Sequence, residues 1–393
     1  MKRSRLTIKK HQQGVSLVEM LVAMLIGLVV SLAVYGVLNV NEGRKRTTTS
    51  INDIDKVGIY TLHQLDQSIR SAGSGLLSGV KSSIGTTDAI DHTLGCQMNA
   101  ALNGTTLLPA SKSLAAPFSN APSNFRIAPV IILDGAAPAG DDIIMTMSGN
   151  GGLSETASKF YDAPQTDSLS LPNLAGFYEK ALVLITKPPS NNISPCLIEQ
   201  VKTGFVAQVG SKTLPLGGAF YQSTINSIAL SSFDIDSHVI NLGLSPAFQL
   251  FGVGENSTLF RYDLLSLPSS DSTPPNPSQF ADSIYQMHAL YGIYTTVGDP
   301  TSLTWVTPTG DYEASKLLAG TSAANATLAS IKAIKIGIVM QASLPEKDVV
   351  SNKTITLFSG TDQAVTVNLP SNALNRRYKA LETAIPLRNG LML

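Results

Sequence analysis

Gly14-Val15-Ser16-Leu17-Val18-Glu19-Met20-Leu21 opens an apolar run that continues to Val40, and its reading decides how the rest of the chain is organised. Lys2, Arg3, Arg5, Lys9 and Lys10 precede it with no acidic residue among them, and from Val15 to Val40 the single charge is Glu19. As a helix rising 1.5 Å per residue, these roughly 26 residues reach ~39 Å, enough to cross a ~30 Å hydrocarbon core with some tilt. Basic residues on the short N-terminal side keep that end in the cytoplasm and place the remainder outside. A carboxylate near the start of such a helix costs roughly 2.5–3.5 kcal/mol on insertion scales, so Glu19 needs a partner.

Two plainer readings compete. An ordinary secretory signal has an apolar core of about 7–15 residues and a small-x-small cleavage site. Ser31-Leu32-Ala33 could be that site, but the core before it would be too long and would hold a carboxylate. A plain single-pass anchor explains the length and leaves Gly14 and Glu19 unexplained.

A basic leader ending in Gly, then an apolar helix with Glu five positions on, resembles the prepilin signal of type IV pilins and type II secretion pseudopilins. The resemblance implies cleavage between Gly14 and Val15 by a membrane-embedded prepilin peptidase, and N-methylation of Val15. It implies too that Glu19, at mature position five, meets the terminal amine of a neighbouring subunit. Val15 departs from the Phe or Met usual at the first mature position.

Charge is unevenly spread. The chain has 28 basic and 28 acidic residues, but residues 71–330 hold 10 basic against 19 acidic. Loss of the leader takes away five cations and leaves a net charge of −5. A phosphate-gripping surface needs a basic footprint, so no nucleic-acid partner is expected. Only 14% of residues are charged, against 31 Gly and 21 Pro, the composition of a turn-rich β domain outside the cytoplasm. The two cysteines, Cys96 and Cys196, form an even count, which in an oxidising compartment suggests a bridge; the alternative is a pair of buried free thiols.

Beyond the membrane segment, Ile51, Ile54, Gly58, Leu62, Leu65 and Ile69 recur in steps of three or four, so the helix continues to Arg70 with one apolar face. Read from Val15, it is ~84 Å long. Gly73 and Gly75 end it. Residues 76–125 lack periodicity and read mostly as loop around Cys96. Apolar runs bounded by turn residues then predict strands at Ile127–Leu133, Ile143–Met147, Leu182–Thr186, Leu197–Val201, Phe205–Val209, Val239–Leu242, Phe248–Val253 and Thr258–Leu264. Pro268–Ser278 reads as an exposed loop. Ile284–Ile293 reads as a strand, Glu313–Ser330 as a second helix and Ile331–Met340 as a central strand apolar on both faces. Thr354–Phe358 and Ala364–Leu369 form a hairpin. In the last strand Pro386 points to a sheet edge.

Several of these stretches narrow the resemblance to PilW-type minor pilins. They are Leu65–Gly73, Asp141–Thr146, Leu182–Thr186 with Cys196, Ile284–Ile293, Ile331–Met340 and Arg376–Asn389. The likeness implies an α+β, type IV pilin-like fold: leader 1–14, helix 15–70 (transmembrane 15–40, amphipathic 41–70) and a large antiparallel β-rich head over 71–393. The implied protein crosses the inner membrane once, with its N-terminus cytoplasmic and its head periplasmic, and later joins a fibre. Its role would be initiation of a type IV pilus in a tip complex with other minor pilins, pilin subunits and a tip adhesin, served by prepilin peptidase and the inner-membrane assembly platform. The alternatives are a minor pseudopilin of type II secretion, a membrane-anchored periplasmic binding protein and a DNA-uptake pilus component.

No catalytic constellation stands out. His11, His63, His92, His238 and His288 are scattered without metal spacing, and neither a G-x-S-x-G elbow nor a P-loop occurs. Asp234-Ile235-Asp236 lacks the Gly and Glu of a calcium loop, and Asp141-Asp142 reads as a strand-entry turn. The expectation is a protein that is not an enzyme and takes no cofactor or metal.

Overall fold

A computed structural model describes residues 14, 16–76, 93–110, 113–152, 157–187, 195–266, 277–296 and 299–389. Val15, the leader to Gln13 and most of the Pro268–Ser278 loop lie outside them, as do 77–92 and 111–112 of the predicted N-terminal loop. One helix runs Leu17–Ser71, and the chain divides into two compact units, 1–53 and 54–393.

Among the described residues, the first unit is helix from Leu17 onward. The apolar side chains from Leu17 to Val40 are exposed, and a side chain built on Gly27 or Gly36 would meet nothing.

In the second unit the helix lays a stripe on the head: Ile54, Gly58, Thr61, Leu65 and Ile69 are buried, at the spacing of one helical face. Thr61 holds a stripe position because its Oγ1 donates back to the Val57 carbonyl at 2.8 Å. The expected face includes Leu62, which flanks the stripe, half-buried.

Three larger sheets build most of the head, beside three two-stranded ones among the described residues. The first has six strands in the spatial order Thr105–Leu108, Gln97–Leu102, Pro195–Gln200, Leu182–Thr186, His238–Gly243, Ser158–Lys159. All its pairs are antiparallel except Gln97–Leu102 with Pro195–Gln200. The second orders Ser278–Ala281, Thr258–Asp263, Ala247–Gly254, Ile143–Ser148 and Val130–Leu133, and the third Leu303–Val306, Ile284–Tyr294, Ile331–Gln341 and Tyr378–Pro386; both are wholly antiparallel.

Ile331–Gln341 is central, as its composition predicts. Ile334, Ile336, Ile338 and Met340 enter the large core, while Val339 enters a smaller one under the hairpin Thr354–Leu357/Val365–Asn368. Tyr378–Pro386 is the edge strand, with Pro386 as its last residue, where a missing N–H costs no ladder bond.

Three expectations give way. Residues 97–108 are a hairpin of the first sheet, turned by Asn103-Gly104 with φ of 49° and 79°. Phe205–Val209 forms no strand: Gly204 and Gly210 bracket it in left-handed turns, and Val206 and Val209 are exposed. The second helix breaks into Ala314–Leu317 and Ser322–Ser330, because Gly320 takes φ 72° and Thr321 starts a new helix, its hydroxyl accepting from the Ala324 N–H.

Candidate functional site

Glu19 lies in the first turn of the helix, where the positive end of the macrodipole favours a carboxylate. It is exposed and has no partner among the described residues. Gly14 is also exposed. From Leu17 to Val40 the helix around Glu19 is an exposed apolar surface, long and apolar enough to cross a membrane. Chemically, such a segment can be cut at its glycine, can insert in lipid and can offer one carboxylate to a cation. Nothing among the described residues supplies that cation.

The structure does bring Cys96 and Cys196 together. They form a disulfide, both buried, with Cα atoms 5.7 Å apart, at the start of the one parallel strand pair of the six-stranded sheet. A parallel pair cannot be closed by a tight turn. Here the covalent link pins the register across a sequence separation of 100 residues.

The head grips the helix through its C-terminal strand. Lys379 pairs with Asp55 at 2.7 Å, and Leu381 with Met340 fills the space that a side chain at Gly58 would need. The Asn389 side-chain amide donates to the carbonyls of Ser71 at 3.3 Å and Ala72 at 3.0 Å, capping the last turn. Leu65–Gly73 and Arg376–Asn389, far apart in sequence, therefore meet in space.

The burial of two acids went unread in the sequence. Glu199 is fully buried in the first sheet; its Oε2 accepts the Gln222 N–H at 3.3 Å and its Oε1 has no partner among the described residues. Burial pushes its pKa up to about 8, against the pull of the Gln222 bond. Asp141 is fully buried at the entry to Ile143–Ser148, as the turn reading places it, and burial raises it to about 7.

Its neighbour Asp142 accepts from the Gly135 and Ala289 N–H groups and stands 3.6 Å from the His288 ring. Burial works against charge on His288, but Asp142, Asp141 and Asp134 outweigh it and raise that pKa. Together these groups tie the 134–142 turn to strand Ile284–Tyr294. Asp234 and Asp236 are held by Lys187 and Lys159 in a turn. Among the described residues, no three His, Cys, Asp or Glu side chains stand together to hold a metal ion.

Comparison with protein families gives two matches. The family described as type IV pilus-assembly protein W matches residues 251–389, and the prokaryotic N-terminal methylation motif matches residues 9–35. The first covers Ile284–Ile293, Ile331–Met340 and Arg376–Asn389 of the motif stretches; the second covers Gly14, Val15 and Glu19. No curated protein and no solved structure matches the chain.

Proposed function

With a prepilin methylation motif at one end and a PilW segment at the other, the chain is a PilW-type minor pilin of type IV pili, and from that premise we propose how it works. Prepilin peptidase removes residues 1–14, and Val15 becomes the methylated N-terminus. Glu19 then pairs with the terminal amine of an adjacent subunit as the helix leaves the bilayer for the fibre. The head, presented outside the inner membrane, docks with other minor pilins and a tip adhesin in the complex that starts the fibre. It acts by binding, not by catalysis.

The observation that carries this reading is Glu19: a lone carboxylate on the otherwise apolar, exposed helical segment that ends at Val40, with no partner among the described residues. Buried unpaired in lipid or among helices it is costly, and pairing with an ammonium offsets much of that cost. The size of the head supports a tip position, since some 320 residues, about two ordinary domains, fit poorly into a repeating shaft.

The test is Glu19→Ala. The variant is expected to be cleaved normally, with N-methyl-Val15 found by mass spectrometry, yet to fail in piliation and in co-purification with other minor pilins. Normal piliation by the processed variant overturns the role of Glu19. A parent chain that keeps Met1 in the assembled fibre overturns the processing.

A further inference from the structure

Arg44, Lys45 and Arg46 follow the apolar run after Asn41-Glu42-Gly43, and all three side chains are exposed. Glu42 answers Arg46 at 3.2 Å; among the described residues neither Arg44 nor Lys45 has an acidic partner. Successive helical residues are turned by about 100°, so three in a row spread around roughly 200° of the circumference. Such an arrangement cannot converge on one small anion. It fits a plane of anions that the helix passes through.

The axial distance agrees. From Leu17 to Arg44 is 27 residues, or ~40 Å along the helix, and ~38 Å along the membrane normal at a common tilt of ~20°. A bilayer has a core of ~30 Å and spans ~40–45 Å with its headgroups. With Leu17 at one core boundary, the triad lies at the far headgroup layer. Its long side chains can reach back to the phosphates.

We propose that Arg44, Lys45 and Arg46 form a cationic collar that binds anionic phospholipid headgroups at the end of the membrane segment remote from Gly14. The leader carries its cations at the opposite end and loses them if residues 1–14 are removed; the collar stays. Before assembly it fixes the depth of the helix, and extraction into a fibre must break its lipid contacts. The collar rests on the membrane-spanning reading of the helix and not on the pairing of Glu19, so the two can fail separately.

The experiment uses the full chain in vesicles of phosphatidylcholine and phosphatidylglycerol in equal parts. A fluorophore is placed on Val37→Cys; the native cysteines are bonded and buried. Quenching by brominated chains carried on one lipid or the other reads which lipid surrounds the helix. Phosphatidylglycerol is expected to be preferred about fivefold for each unpaired cation, with the preference weakening in high salt. In Arg44→Gln/Lys45→Gln/Arg46→Gln the preference falls to near unity, while Lys56→Gln, on an exposed position farther along the helix, leaves it unchanged.

Equal quenching by the two lipids around the native collar overturns the proposal. So does an unchanged preference in the triple variant, or an equal loss in Lys56→Gln. Carbodiimide coupling of Lys45 to a carboxylate of a second copy, without lipid preference, would make the collar a protein contact and overturn it as well.

Discussion

Glu199 makes the head less stable as pH rises, and the size of the effect can be worked from its surroundings. Its carboxylate is fully buried, and the Gln222 N–H is its one donor among the described residues, so the neutral form is favoured up to about pH 8. In the unfolded chain the same group ionises near 4.5. Between those values the folded head holds a proton that the unfolded chain has released, so unfolding sheds a proton and stability falls with rising pH. The stabilisation is fully present below about 4.5 and is lost as pH climbs through about 8.

At about 1.4 kcal/mol per pH unit, this one group makes the head ~3 kcal/mol less stable at pH 7 than at pH 5. The measurement is urea unfolding of the full chain in detergent at pH 5, 6 and 7, followed by the fluorescence of Trp305, the single tryptophan. Glu199→Gln keeps the shape and cannot ionise. It is expected to match the parent near pH 5 and to exceed it by about 2–3 kcal/mol at pH 7. Asp141, raised from 3.8 to about 7, adds a slope of the same sign, so Glu199→Gln/Asp141→Asn should be flatter over this range than Glu199→Gln alone. An unchanged slope in Glu199→Gln would refute the reasoning, for it would mean that the carboxylate is already charged in the folded head.

Gly58→Val forces a side chain into Leu381 and Met340. It should cost about 1–3 kcal/mol and speed hydrogen exchange in residues 54–71 ahead of the sheets. Cys96→Ala/Cys196→Ala releases a 100-residue closure, and the loss should be about 2–5 kcal/mol by denaturant midpoint. Asn389→Ala removes both side-chain donors to the end of the helix. It should cost about 1–2 kcal/mol and raise amide exchange near residues 69–72, leaving the first sheet unaffected.

What could be read from sequence depends on how local the signal is. The stripe through Ile54, Gly58, Leu65 and Ile69 is a periodicity within one element, and the apolar run Ile331–Met340 announces its own burial on both faces. The hairpin at 97–108 is written mainly in Asn103-Gly104, because Ala100 and Ala101 supply little apolar contrast. Phe205–Val209 shows the reverse: an apolar run alone does not make a strand when glycines on either side turn the chain away from a partner. The burial of Glu199 and Asp141 depends on strands and turns distant in sequence, so no local pattern could mark them. Glu19 was legible for the opposite reason: its oddity is set by its immediate neighbours.

The family match falls on the part of the head that holds the helix. Asp55 is paired by Lys379, Gly58 is covered by Leu381 and Met340, and the carbonyls of Ser71 and Ala72 are capped by Asn389; all of those partners lie within residues 251–389. The six-stranded sheet, built from residues between Gln97 and Gly243, lies wholly outside the match, as does the disulfide. A strand that must fit a helix stripe is constrained at every second residue by the stripe itself, and the cap constrains the residues beyond its end. The matched segment contains these helix-gripping contacts together with the rest of residues 251–389, and the six-stranded sheet outside it directs a search for partner-specific surfaces toward residues 97–243.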